Sequence, residues 1–113
     1  MTIATKFSAD GVCIVNPQLE RLTVANADTF KIEILSLIEH GQTRFIIDFA
    51  GVSMVDSSGI GALVGLLKKV GNRGEIAISA LSDNVAQIFG ITRMDRVFRI
   101  FPDSQRALLG MSV

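Results

Sequence analysis

The run Arg44-Phe45-Ile46-Ile47-Asp48-Phe49 constrains the fold more than any other stretch, being short, nearly all apolar, and rich in β-branched and aromatic residues. Runs of this kind belong to central strands covered on both faces, which parallel sheets require. Strand-like and helix-like stretches alternate around it. Thr2 to Ser8 and Val12 to Val15 read as two strands joined at Asp10-Gly11, a strong hairpin turn signal. Asn16-Pro17 breaks the second strand. A helix is then expected from about Ala25 to His40, with Asn26 as candidate N-cap and Gly41 just past its end. Ala27, Phe30, Ile34, Leu37 and Ile38 form its core stripe, with Ile32 and Leu35 read as the flank of a broad buried face.

After Phe49 a loop leads to a second helix, from near Ser57 to about Val70, closed by Gly71-Asn72. Glu75 to Ser79 reads as the next strand, and Ser82-Asp83 can cap a third helix ending at Gly90. A last strand, Val97 to Phe101, meets Pro102, which suits the first turn of a terminal helix over Asp103 to Leu109. Strands alternating with helices imply an α/β fold. The expectation is a single domain over residues 1–113, with a mostly parallel mixed sheet, an N-terminal hairpin and about four helices.

A chain of 113 residues with 49% apolar and 19% charged side chains has material for one core and lies far from disordered compositions. Its formal net charge of zero argues against a dedicated nucleic-acid binder. Acidic residues prevail up to Leu67 and basic ones after it, too mildly to name a partner. Cys13 is the only cysteine, which excludes an internal disulfide and fits a reducing compartment. The start carries no signal-peptide pattern, and the longest apolar or glycine run, Ile60 to Leu67, is far short of the about 20 residues that span a bilayer. The reading is a cytoplasmic protein with no direct membrane insertion.

The stretch from Val55 to Val70 carries the most information. At about 100° per residue, Ile60, Leu63, Val64, Leu67 and Val70 gather on one side, expected to face the core. Ser58, Gly61, Ala62, Gly65 and Lys69 fall opposite. Glycine inside a helix costs about 1 kcal/mol relative to alanine, so a helix with Gly61 and Gly65 on its outer face gains from a close approach there. The approaching surface is a partner or a neighbouring element of the same chain. Ser57 and Ser58 stand where a helix leaves backbone amides unpaired; a hydroxyl can cap them, or a phosphate can meet them.

Phe45 to Phe49, followed by Val52-Ser53-Met54-Val55-Asp56-Ser57-Ser58-Gly59-Ile60-Gly61-Ala62-Leu63, resembles the signature of the STAS domain family, especially the bacterial anti-sigma factor antagonists. Phe89 to Phe98 is similar to the third helix and final strand entry of that family. The resemblance implies a regulator, not an enzyme, in a phosphorylation-controlled partner switch. Unphosphorylated, such a protein binds an anti-sigma factor with serine kinase activity and frees a sigma factor or another output; a serine phosphatase resets it. It also implies that the phosphoacceptor is Ser57, with Ser58 as runner-up, and that Asp56, Ser57, Ser58, Gly59, Gly61, Ala62 and Gly65 form the partner surface. Self-association as a homodimer stays open. The alternative is a structural STAS subunit of a stress-signalling scaffold or a transporter complex. One departure concerns partner choice: where many relatives carry Gly-x-Leu-Asp, this chain has Glu20-Arg21-Leu22-Thr23.

Other constellations carry less. His40, the only histidine, sits at a helix end that suits a partly charged imidazole. Asp48 and Asp56 flank one loop, where Asp56 is expected to order the helix start rather than hold a metal. Gly59, Gly61 and Gly65 do not match the dinucleotide fingerprint, so no cofactor is implied. Cys13, among Val12, Ile14 and Val15, reads as a small buried residue, and Arg93, Arg96 and Arg99 as a solvated edge.

Overall fold

The computed structural model describes residues 3–111. The apolar run forms the centre of a five-stranded sheet in the order β1-β2-β4-β6-β7, where β1 is Ala4–Phe7, β2 Cys13–Asn16, β4 Arg44–Asp48, β6 Glu75–Ser79 and β7 Arg99–Phe101. β1 pairs antiparallel with β2 and every other neighbour pairs parallel, as the hairpin and the alternation of elements anticipated. Thr2 lies outside the described residues, and Ser8 belongs to the turn, where Gly11 takes φ +83°.

Helices cover both faces. α1 (Ala27–Glu39), α2 (Ser57–Val70) and α3 (Asp83–Ile91) lie on one, sealing Cys13, Val15, Phe45, Ile47, Ile76 and Ile78 against Phe30, Ile34, Leu63, Leu66, Val85 and Phe89. On the other, α4 (Ser104–Met111) sets Ala107 and Met111 over Val12, Ile46 and Ala77. Residues alternate faces along a strand, so β4 needs apolar side chains at every central position. Phe45, Ile46 and Ile47 are all fully buried.

Several expectations shift. α1 begins two residues late, and Asn26 caps nothing: its side chain turns back, accepting the Thr23 amide (3.0 Å) and donating to the Arg21 carbonyl (2.9 Å). Ile32 is 65% exposed and so is not the flank of a buried face, whereas Leu35 packs partly against the core. α3 runs to Ile91, one residue past Gly90. The last strand was expected from Val97, but β7 begins only at Arg99: Val97 and Phe98 continue the 3₁₀ turn Met94–Arg96, their amides both donating to the Met94 carbonyl. Pro102 precedes α4, which starts at Ser104 with its first turn tied to Asp103 through the Arg106 amide. Two further short strands, without a signal in the sequence, β3 (Arg21–Leu22) and β5 (Met54–Val55), pair in parallel as a separate ribbon.

Candidate functional site

The ribbon of β3 and β5 leads directly into α2. Leu22 pairs with Val55, and the Asp56 amide donates to the Leu22 carbonyl at 3.2 Å. Asp56 is the N-cap of α2. One carboxylate oxygen accepts the amides of Ser58 (2.9 Å) and Gly59 (3.1 Å), and the other accepts the Val24 amide at 3.0 Å. The bond from Val24, followed by those from Gly59 and Ser58, holds the Asp56 carboxyl below its ordinary titration range, because each favours the charged form. Asp56 thus orders the helix start as expected, and the capping task falls to it rather than to either serine.

Ser57 is the first residue of α2 and is exposed, while Ser58 is half-buried. Of the small residues expected outside, Gly61 faces open space. Gly65 does not: a β-carbon there would stand 2.6 Å from Lys31 Nζ, so the lysine of α1 lies across it. Gly59 and Ala62, also expected on the partner surface, are buried in the domain, Gly59 against the Leu22 backbone.

The core face of α2 is also rotated from the expected stripe. Gly59, Ala62, Leu63, Leu66 and Val70 are buried, whereas Ile60, Val64 and Leu67 are only partly so. α1 packs beside α2, with Lys31 lying across Gly65. Two residues that the linear reading missed join the site: Lys31 through that packing, and Val24, 75% exposed, through the β3–β5 pairing. Neither has a local signal, since both arrive from elements distant in sequence.

Elsewhere, the other candidates keep structural roles. His40 Nδ1–H donates to the Ser36 carbonyl at 2.7 Å. Asp48 accepts the Ala50 amide at 3.0 Å, and no cluster of three or more metal-ligating side chains occurs among the described residues. Cys13 is fully buried, and burial pushes its thiol up to about 11. Arg99 pairs with Glu75 at 3.2 Å and lies over the Phe101 ring. No helix among the described residues is long and apolar enough to cross a membrane.

A family model described as the STAS domain matches residues 5–107. The chain belongs to the STAS domain family. This STAS domain is 28% identical, over 101 residues and 88% of each chain, to a Thermotoga neapolitana protein named provisionally as an anti-sigma factor antagonist homologue. It matches the anti-sigma-factor antagonist (STAS) domain protein from Planctomyces limnophilus with a TM-score of 0.88 at 25% identity, over 98% of both chains. The Bacillus cell fate determinant SpoIIAA, solved in its phosphorylated form, shares the fold with a TM-score of 0.72 at 16% identity, over 95% of this chain and 96% of that one.

Proposed function

We propose that this STAS domain is a cytoplasmic anti-sigma factor antagonist working through a phosphorylation-controlled partner switch. Unmodified, it binds an anti-sigma factor that is also a serine kinase and so frees a sigma factor or another output. Phosphorylation of Ser57 ends that binding, and a serine phosphatase restores it. The domain is substrate and binding module and catalyses no step. The observation that carries this reading is the exposed Ser57 at the start of α2, beside the Asp56 cap and the open face at Gly61.

In the transfer, the Ser57 hydroxyl attacks the γ-phosphorus of ATP held by the kinase. Its proton passes to a base of the kinase, and the Oγ–P bond forms as the bond to ADP breaks. The added phosphate brings about −1.5 to −2 charges. In a closed interface that dianion loses water next to Asp56, and an unpaired buried charge costs several kcal/mol. Each 1.4 kcal/mol is about a tenfold change in affinity, so binding falls by orders of magnitude while the free domain stays folded.

The test takes the kinase that copurifies with the unmodified protein, adds ATP, and follows intact mass and peptide maps. One phosphate is expected on Ser57. Ser57→Ala should abolish labelling and bind persistently, whereas Ser58→Ala should leave substantial labelling; the reverse pattern overturns the assignment. A permease or a large homogeneous assembly in place of a kinase would favour a fixed structural subunit.

A further inference from the structure

β1 is an edge of the five-stranded sheet, and all of its residues are exposed. The Ser8 amide donates to the Val12 carbonyl across the hairpin at 2.9 Å, so the Ser8 backbone faces β2. Backbone groups along a strand point to alternate sides, so Lys6 and Ala4 also face β2, while the amides and carbonyls of Thr5 and Phe7 point away from the sheet. Ile3 points the same way, and its amide is already held by Glu33 of α1 at 3.0 Å. An exposed row of backbone donors and acceptors is a template for another strand.

The side chains flanking this row differ between the two faces. Thr5 pairs with Val15 and Phe7 with Cys13, which places Ile3, Thr5 and Phe7 on the face covered by α1, α2 and α3. Phe7 is 60% exposed there, and an open groove of about 430 Å³ separates Ile3 and Thr5 from Ile32 and Ser36 of α1. Ala4 and Lys6 lie on the α4 face. Beyond Val12 and Ile46, which α4 covers, that face keeps a groove of about 240 Å³ lined by Ala4, Lys6, Ile14, Asn16 and Asp48.

Two copies of one edge strand related by a twofold axis pair antiparallel, and an axis normal to the sheet passes through a residue, because facing residues must share a face. Centring on Lys6 sets two like charges opposite each other, which is unfavourable. Centring on Ala4 takes Phe7 away from Ile3. Centring on Thr5 avoids both faults. The two Thr5 residues exchange amide and carbonyl, and each Phe7 amide meets the second copy's Ile3 carbonyl, while the Ile3 amide stays on Glu33. Ile3 then packs against the second copy's Phe7, with Ile32 alongside. Lys6 lies opposite the second copy's Ala4, in a row that continues through Asn16 to Asp48, so a cation of one copy enters a groove that holds a carboxylate of the other. The two Glu33 side chains sit beside Ile3 residues about 13 Å apart along the strands, more than a Debye length at physiological salt.

We propose that two copies of this chain associate through β1, Thr5 against Thr5, joining their five-stranded sheets into one. The shared edge is short, so association is weak and concentration-dependent. None of these residues belongs to the site around Ser57, so self-association is expected with or without a phosphate there.

Sedimentation equilibrium of the full chain, from about 10 μM to about 1 mM, should show a monomer and dimer in exchange. Ala4→Glu sets a carboxylate opposite the second copy's Lys6 at two symmetric places and should tighten the dimer about tenfold, whereas Ala4→Lys should weaken it by about the same factor. Thr5→Pro removes an amide that points away from the sheet, which an edge strand tolerates, and should give a folded monomer. If that variant fails to fold, the exposed Ala4 pair decides alone. A parent chain that stays monomeric at about 1 mM overturns this interface. So does a dimer that Ala4→Glu and Ala4→Lys shift alike or not at all, or that folded Thr5→Pro forms as well as the parent.

Discussion

Gly59 lies so close beneath Leu22 that a β-carbon on it would stand 2.8 Å from the Leu22 carbonyl oxygen and 2.9 Å from Val55 Cγ1. The first of these is backbone, held in the β3–β5 ribbon, and cannot swing aside as a side-chain end can. Gly59→Ala should therefore destabilise the domain: overpacking costs about 1–3 kcal/mol, only partly offset by the gain in helix propensity of up to about 1 kcal/mol. Urea unfolding measures it, and a midpoint equal to or above that of the parent contradicts this packing.

Gly61 should behave in the opposite way, because nothing lies within 4 Å of a β-carbon there. Gly61→Ala is expected to stabilise by about 0.5–1 kcal/mol, since alanine loses less freedom in a helix. Gly61→Arg should fold, yet lower affinity for the copurifying kinase at least as far as Gly65→Arg, which must first displace Lys31. Parent-like affinity in Gly61→Arg removes this face from the interface.

The Asp56 carboxyl titrates below its ordinary value of 3.8, through the Val24 bond first and the Gly59 and Ser58 bonds after it. A depressed folded-state value means the contribution to stability is fully present above the unfolded value and is lost as pH falls through the folded one. The Val24 amide shift, followed by NMR from neutral pH into acid, should titrate with a midpoint below the ordinary 3.8. In Asp56→Asn the same amide should show no such transition; a midpoint at or above the ordinary value contradicts the bonding described.

Cys13 faces the core between β2 and the helices, and its thiol is raised to about 11 by burial. The thiolate is the nucleophile, so a neutral buried thiol reacts slowly. Iodoacetamide at pH 8 should leave folded protein unmodified over a period that fully labels the urea-unfolded chain. Equal rates in the two states would mean that the strand is open to solvent.

What was legible in the chain is local. The bounds of α2 follow from Asp56, which can accept first-turn amides, and from Gly71, which takes φ +59° at the end. β4 and β6 are apolar runs too short for helices, and Asp10-Gly11 marks the hairpin. These features depend on neighbours within a few residues, which is where propensity, capping and periodicity act. Asp56-Ser57-Ser58-Gly59, with the strand before it and the helix after it, likewise carries the family resemblance in contiguous sequence.

Tertiary structure decided what each surface does. β3 and β5 have two residues each, too few to show a period of two, and exist because Arg21 and Leu22 find Met54 and Val55. That pairing turns Gly59 from a candidate contact into a packing position and brings Val24 to Asp56. The stripe expected on α2 held Ile60, Val64 and Leu67, whereas the buried face takes in Gly59, Ala62 and Leu66, because helical spacing does not tell which flank a neighbouring element will cover. In the folded domain Ala62 and Leu66 are buried, Lys31 of the adjacent α1 lies over Gly65, and Ser57 and Gly61 stay exposed. The helix and its exposed serine are encoded locally. Which residues stand beside that serine depends on contacts between segments far apart in the chain, and local propensity carries no record of those.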